Sequence, residues 1–265
     1  MIEIQNISKQ FGKLKALDTV SASFTEGQAI SLIGPNSSGK TTLIKCLLGM
    51  VIPDTGTMLF KGTDVTTACD YRSDIGYMPQ IGRYPDNMRI SQIFDMMIDL
   101  RKNQNTQIDE ELIHAFDLKK QFDKPMRTLS GGTIQKVSAC LAFLFDPSVL
   151  VLDEPTAGLD PVASEILKTK VLKEKNKGKL ILMTSHILSD LEDMTTDVMY
   201  LQDGKCLFFK PVETLKAATN ENRLAKAIAS VMTSGVTFKI NGHTPPSRLH
   251  RDVPSVKNRD LAIKI

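Results

Sequence analysis

Residues 34–41 read GPNSSGKT, a complete match to G-x-x-x-x-G-K-[ST]. The string lies between a short, mostly apolar run at 28–33 and a segment, 41–50, in which Leu43, Ile44, Leu47 and Leu48 have helical spacing. The order is strand, glycine turn, helix, as the mechanism of a phosphate loop demands. Gly34 and Gly39 let successive backbone N–H groups turn inward around phosphate oxygens, and the following helix start adds partial positive charge. Lys40 reaches the outer phosphates in this pattern, and the Thr41 hydroxyl holds Mg²⁺. Pro35, Asn36, Ser37 and Ser38 fill the variable positions, of which Ser37 is free in the mechanical pattern, and Thr42 follows the loop. An ordinary glycine turn is the plainer alternative, and the flanking strand and helix argue against it.

The remaining periodicities build an α/β chain around that loop. Ile2 and Ile4, then Val20, Ala22 and Phe24, alternate as half-buried antiparallel strands do. Hairpins are expected at 57–60 with Lys61-Gly62, and at 198–201 with Asp203-Gly204 and 206–209. Between about 86 and 147 strand signals vanish, and helical spacing appears at Ile90, Ile93, Phe94 and Met97 and again at Leu112, Ala115 and Phe116. An inserted helical subdomain follows from this. Strand-like runs return at 149–152 and 180–183, separated by a helical stretch from Pro161 to about Lys175, as a parallel sheet with crossover helices requires. A last amphipathic helix is expected from Leu224, Ile228 and Val231, within 216–235. Residues 236–265, with Pro245, Pro246 and Pro254, hold too few apolar side chains for a core and are expected to be a flexible tail.

Two further segments carry chemistry. Residues 149–154 read VLVLDE, an apolar strand ending in two carboxylates, where ligands sit in parallel sheets. Asp153 is placed to bind Mg²⁺ or its water, and Glu154 to orient and deprotonate an attacking water. Taken alone, the pair also reads as a helix N-cap, because Pro155 follows. Leu129-Ser130-Gly131-Gly132 precedes a helix with apolar positions Ile134, Val137, Leu141 and Leu144. Ser130 is an N-cap hydroxyl, and Gly131 and Gly132 leave N–H groups open to an anion. A plain capped helix satisfies that tetrapeptide equally well.

The order of these pieces resembles the ATP-binding subunit of ATP-binding cassette (ABC) transporters over about residues 1–215. The phosphate loop is followed by a Gln-bearing loop in Tyr77-Met78-Pro79-Gln80, then by Leu129-Ser130-Gly131-Gly132, Asp153-Glu154, Gly158-Leu159-Asp160 and Thr184-Ser185-His186. Phe11, in Phe11-Gly12 ahead of Ala16-Leu17, matches the aromatic position that stacks on adenine, although read alone it is a core residue. The resemblance implies a P-loop (RecA-like) parallel sheet with an antiparallel β subdomain and the helical insertion. It implies ATP and Mg²⁺ as ligands, with Gln80 at the metal and water, His186 at the γ-phosphate and Asp160 communicating across an interface. It also implies a head-to-tail dimer in which Ser130, Gly131 and Gly132 of one copy close over ATP held by the other's loop. Two departures are Ser37, where many relatives have Gly, and Thr133, where Gln is common, so that the grip of that helix start differs.

What the machine drives is constrained by what the chain lacks. Its longest apolar runs fall far short of the roughly 18 residues a membrane span needs, and its start lacks the basic and apolar segments of a secretory signal. A cytosolic chain at the inner face of a membrane, docked on an integral permease, is the resulting expectation. The segment 81–89, IGRYPDNMR, lies where relatives receive the membrane partner, with Arg83, Tyr84 and Arg89 as anchor types; a solvated loop is the alternative. The part around 81–88 also faintly resembles the ATPase subunit of copper-associated transporters serving nitrous-oxide reductase maturation. Met78, Met88, Met96 and Met97 nearby fit core packing or a docking groove better than soft-metal handling. Cys46, Cys69, Cys140 and Cys206 are widely spaced and fit reduced thiols rather than zinc. Net charge is +3, but the last thirty residues set Lys239, Arg248, Arg251, Lys257, Arg259 and Lys264 against Asp252 and Asp260 for +4, which leaves the body at −1, so no nucleic-acid partner is expected for it. A cytosolic ABC ATPase clamping a soluble or ribosomal partner is the competing function, separable by whether a multi-span protein co-purifies.

Overall fold

The computed structural model describes residues 1–101, 107–185 and 191–234. The first sheet is antiparallel, built from β1 (Ile2–Phe11), β2 (Leu14–Phe24), β4 (Thr55–Phe60) and β5 (Thr63–Asp64) in the order β2-β1-β4-β5. The second contains β3 (Ala29–Ile33), β6 (Ile75–Met78), β7 (Val149–Asp153), β8 (Leu180–Thr184), β9 (Asp197–Gln202) and β10 (Lys205–Pro211), in the order β10-β9-β3-β8-β7-β6. Its neighbours are parallel except for the β9/β10 hairpin. Helix α1 (Lys40–Leu47) leaves the end of β3, and α2 (Ile90–Leu100), α3 (Glu111–Ala115) and α4 (Gly131–Phe143) lie between β6 and β7. Helix α5 (Pro161–Asn176) joins β7 to β8, and α6 (Val212–Thr219) and α7 (Leu224–Ser234) follow β10.

Period-two packing explains why the inner strands read as continuous apolar runs. Val149 and Val151 of β7, with Leu180 and Leu182 of β8, face a core shared with the antiparallel sheet and α1. Their neighbours Leu150, Leu152, Ile181 and Met183 face the core of the helical insertion and α5. Strands covered on both faces cannot show the apolar-polar alternation seen in β1 and β2. A third cluster seats α6 and α7 on Ile33, Val198 and Phe208.

Two details differ from the sequence reading. Strand β6 was not anticipated: it has four residues, one of them Gly76, whose added Cβ would stand 2.0 Å from the Ala142 carbonyl oxygen. Close approach of α4 therefore requires glycine there. The C-terminal helix expected on Leu224, Ile228 and Val231 is present as α7, but an unexpected α6 precedes it from Val212 and ends where Asn220 turns left-handed (φ 54°). Helix α5 starts at Pro161 as the sequence places it, with Asp160 as its N-cap accepting from the Ala163 N–H at 2.8 Å, and the alternative of an N-cap at Asp153 or Glu154 is not met. The tail expected at 236–265 lies outside the described residues.

The helical insertion is tied to α5 by charge. Lys170 is 2% exposed, and its Nζ donates to Asp109 (2.5 Å) and Glu111 (2.7 Å) from the insertion and pairs with Glu174 (2.9 Å). Glu174 is fully buried and also pairs with Lys177 (2.9 Å) and Lys179 (2.5 Å). Burial works against the Glu174 charge, yet Lys177, Lys179 and Lys170 outweigh it and bring its carboxyl down to about 2.

Candidate nucleotide site

The phosphate loop crosses from the end of β3 into α1, and its shape is set by backbone contacts that leave no room for side chains. An added Cβ would lie 2.0 Å from the Leu201 carbonyl oxygen at Gly34 and 2.5 Å from that of Ala16 at Gly39. The turn of the β9/β10 hairpin presses on the loop from outside, with the Gly204 N–H donating to the Ser38 carbonyl at 3.1 Å and the Asp18 N–H to that of Gly204 at 2.8 Å. Ser37 is not a free position. Its φ of 63° lies in the left-handed region, which explains why a glycine is the easier occupant and costs a serine about 1–2 kcal/mol.

A single cavity of about 350 Å³ gathers Asn36 through Thr42 with Phe11, Gln80, Asp153, Glu154 and Thr184. Lys40 folds its Nζ onto the loop's own carbonyls, Gly34 (2.6 Å) and Pro35 (3.0 Å). Burial lowers its ammonium below the ordinary lysine range against the opposing pull of Glu154 and Asp153. Gly34 and Pro35 thus hold Lys40 and do not themselves line the cavity. The β7/β8 register sets Asp153 beside Thr184, and the Thr184 hydroxyl donates to Asp153 Oδ1 at 2.5 Å while accepting from the Glu154 N–H at 3.1 Å. Glu154 is 8% exposed and sits at φ 53°, a strained conformation for a non-glycine residue.

These features fit a magnesium-bound polyphosphate. Helix α1 begins on Gly39 without a side-chain cap and without an acidic residue in its first turn, which leaves its N-terminal N–H groups for an anion. Ser38 Oγ is buried in the cavity wall and has no hydrogen-bond partner among the described residues, a vacancy that a phosphate oxygen satisfies. Thr41, Gln80 and Asp153 offer hard oxygen donors of the kind Mg²⁺ takes. Phe11 is 49% exposed and forms cavity wall rather than core, with Lys9 Nζ 5.5 Å from its ring centroid. Sequence reasoning missed Leu14, Ala16 and Thr184 as lining residues. Leu14 is the cross-strand partner of Phe11 at the β1/β2 turn and Ala16 lies two residues further along β2, while Thr184 enters the sequence pattern only as a neighbour of His186, which lies outside the described residues.

Ser130, Gly131, Gly132 and Asp160 do not line this cavity. They form a second constellation. Ser130 caps α4, accepting from the Thr133 N–H at 3.3 Å, and its Oγ lies 3.0 Å from the Thr133 hydroxyl. An added Cβ on Gly132 would stand 2.8 Å from the Gly158 carbonyl oxygen, so the first turn of α4 meets the Gly158 loop backbone to backbone. Lys136 pairs with Asp160 at 2.8 Å and, by that hydrogen bond above all, holds its carboxyl below the usual range.

A family model described as ABC transporter matches residues 17–157. The chain belongs to the ABC transporter family. Its relatives include Nod factor export ATP-binding protein I of Ralstonia nicotianae, 31% identical over 77% of this chain and 65% of that protein, so the chain spans a little under two thirds of it. An uncharacterized ABC transporter ATP-binding protein of Bacillus subtilis, YhaQ, is 34% identical over 77% of this chain and 69% of its own length. A solved dimeric ATP-binding cassette in a post-hydrolysis state, bound to ADP and Pi, superposes with a TM-score of 0.70 over 80% of this chain and 98% of that one, at 21% identity. The fold is therefore that of ABC cassettes, with the inserted helices of this family member carrying Ser130 and the central sheet carrying the phosphate loop.

Met78, at the end of β6, is fully buried, and Met88 and Met97 of the insertion pack on the same core, so these three methionines are packing residues; Met96 is exposed. Tyr84 donates to or accepts from Ser138 at 2.8 Å and is half-buried, so only part of the 81–89 loop is free surface. No described helix is long and apolar enough to cross a membrane.

Proposed function

We propose that this chain is the ATP-binding, ATP-hydrolysing subunit of a membrane transporter, working as a head-to-tail dimer beside an integral permease at the cytoplasmic face. The observation that carries this reading is the division of the site. The loop, Lys40 and the acidic strand end share one cavity, whereas Ser130, Gly131, Gly132 and Asp160 cluster elsewhere on the same chain. A second copy turned end over end brings one set against the other, so each composite site holds ATP between two helix N-termini. The dimeric cassette with ADP and Pi supports that arrangement, and the export name of the Ralstonia relative supports transport.

Within the site, Gly34 to Thr42 cradle the phosphates and Phe11 offers its exposed face to the adenine. Lys40 exchanges the loop carbonyls for phosphate oxygens. Thr41, Gln80 and Asp153 hold Mg²⁺, which supplies neutralisation of phosphate charge. Glu154 orients the attacking water and takes its proton, and His186 contacts the γ-phosphate. Residues 1–215 form the nucleotide-binding unit, with 216–235 and the basic segment 236–265 as additions. Toward the permease, Ile81 is 69% exposed, and a cavity lined by Gly82, Arg83, Tyr84, Asp86, Met126 and Ile134 opens beside it, which supports docking there.

Glu154→Gln tests the reading. With Mg-ATP this variant elutes as a dimer in size-exclusion chromatography and holds unhydrolysed ATP, while the parent turns over. Hydrolysis by the variant at the parental rate removes Glu154 as base, and absence of a dimer with ATP and the membrane chain present removes the clamp.

A further inference from the structure

The geometry points to Thr184 as a positioning residue for the Mg²⁺ site, its single hydroxyl holding both acidic residues at the end of β7 in their working arrangement. The inference rests on the ATPase reading above and concerns a residue that the motifs leave without a role. Thr184 is the last residue of β8 and is 2% exposed, yet it lines the nucleotide cavity. Its hydroxyl proton goes to Asp153 Oδ1 at 2.5 Å, so the carboxylate is held through one oxygen and cannot rotate freely about its last bond. The same oxygen accepts from the Glu154 N–H at 3.1 Å. That second bond pins the residue whose backbone sits at φ 53°, a conformation that persists only where its surroundings over-determine it.

A hydroxyl is required because only a group that donates and accepts at once can bridge a carboxylate and an N–H. Valine has the same shape without either capacity. Removing the hydroxyl does not orphan the Glu154 N–H, because the Thr184 carbonyl also accepts from it at 3.3 Å. The fold is thereby kept while the carboxylate is released. The consequence is specific to the metal: the loop, Lys40 and Phe11 still bind nucleotide, but Asp153 no longer waits in one orientation for Mg²⁺.

The test uses the full chain and a binding readout. ATP affinity is measured calorimetrically in EDTA, and the Mg²⁺ concentration giving half of the metal-dependent gain in affinity is then titrated. Thr184→Val binds ATP in EDTA like the parent but needs about tenfold more Mg²⁺, the scale expected for one hydrogen bond to a charged group. Thr184→Ser restores the parental titration, and Thr184→Ala, which also vacates volume, behaves like Thr184→Val. An unchanged Mg²⁺ response in Thr184→Val, equal weakening in EDTA and in Mg²⁺, or failure of Thr184→Ser to restore the response would each overturn the assignment. If Thr184→Val does not fold, the Ser and Ala variants decide it between them. A parent that binds no nucleotide in either condition sinks the ATPase reading itself, an outcome distinct from all of these.

Discussion

Replacing Lys170 with Met deletes the ammonium that joins the helical insertion to α5 and leaves its buried volume almost filled. Three charge-assisted contacts disappear, at 2.5 Å to Asp109, 2.7 Å to Glu111 and 2.9 Å to Glu174. Breaking one side of a buried ion pair costs about 3–5 kcal/mol. The low end applies, because Glu174 keeps Lys177 and Lys179 and Asp109 keeps the Glu111 N–H at 2.9 Å. A loss of about 3 kcal/mol moves the thermal midpoint of a domain this size down by about 6–12 °C, read by circular dichroism. The pH dependence supplies a second check. Glu174 has a folded value of about 2 against an ordinary 4.5, so its contribution is full above 4.5 and is lost as pH falls toward 2. The gap between parent and Lys170→Met is therefore widest near neutrality and narrows in acid as the carboxylates protonate. A midpoint change below about 2 °C, or a gap that stays constant into acid, would refute the argument that this network carries net stability.

Lys40→Ala raises the dissociation constant for ATP by about a hundredfold or more in calorimetry, because several contacts to charged oxygens are lost together. Phe11→Ala weakens ATP binding by about tenfold, in line with about 1–3 kcal/mol for a base stacked on an aromatic ring; an unchanged affinity would remove Phe11 from the base platform. Gly76→Ala forces a Cβ against the Ala142 carbonyl and lowers unfolding free energy in denaturant titration by about 3 kcal/mol, with the midpoint of the transition as readout.

The phosphate loop was legible because its chemistry is local: eight consecutive residues specify a turn, and a strand and a helix flank it. The acidic strand end was legible for its carboxylates but ambiguous in its geometry. The helix start at Pro161 was legible too, but only the structure shows the Thr184 hydroxyl that ties the two acidic residues together. Strand β6 escaped because its length and its glycine erase periodicity, and the reason for Gly76 is a carbonyl from α4, distant in sequence. Ser37 looked interchangeable because a motif records residue types and not backbone angles. Thr184 was hidden for a different reason. Its partner, Asp153, is set by strand register across 31 residues of chain, and no window of sequence contains both.

The contacts of Gly204 with Ser38 and Asp18 give the polypeptide an order of maturation. A motif encoded within the first 41 residues is shaped by a turn that leaves the ribosome far later, and β3 itself needs β8 and β9 on its flanks. A nascent chain halted before Gly204 has the whole fingerprint in its sequence but no finished cradle, so nucleotide capture waits until nearly all of the central sheet has been translated.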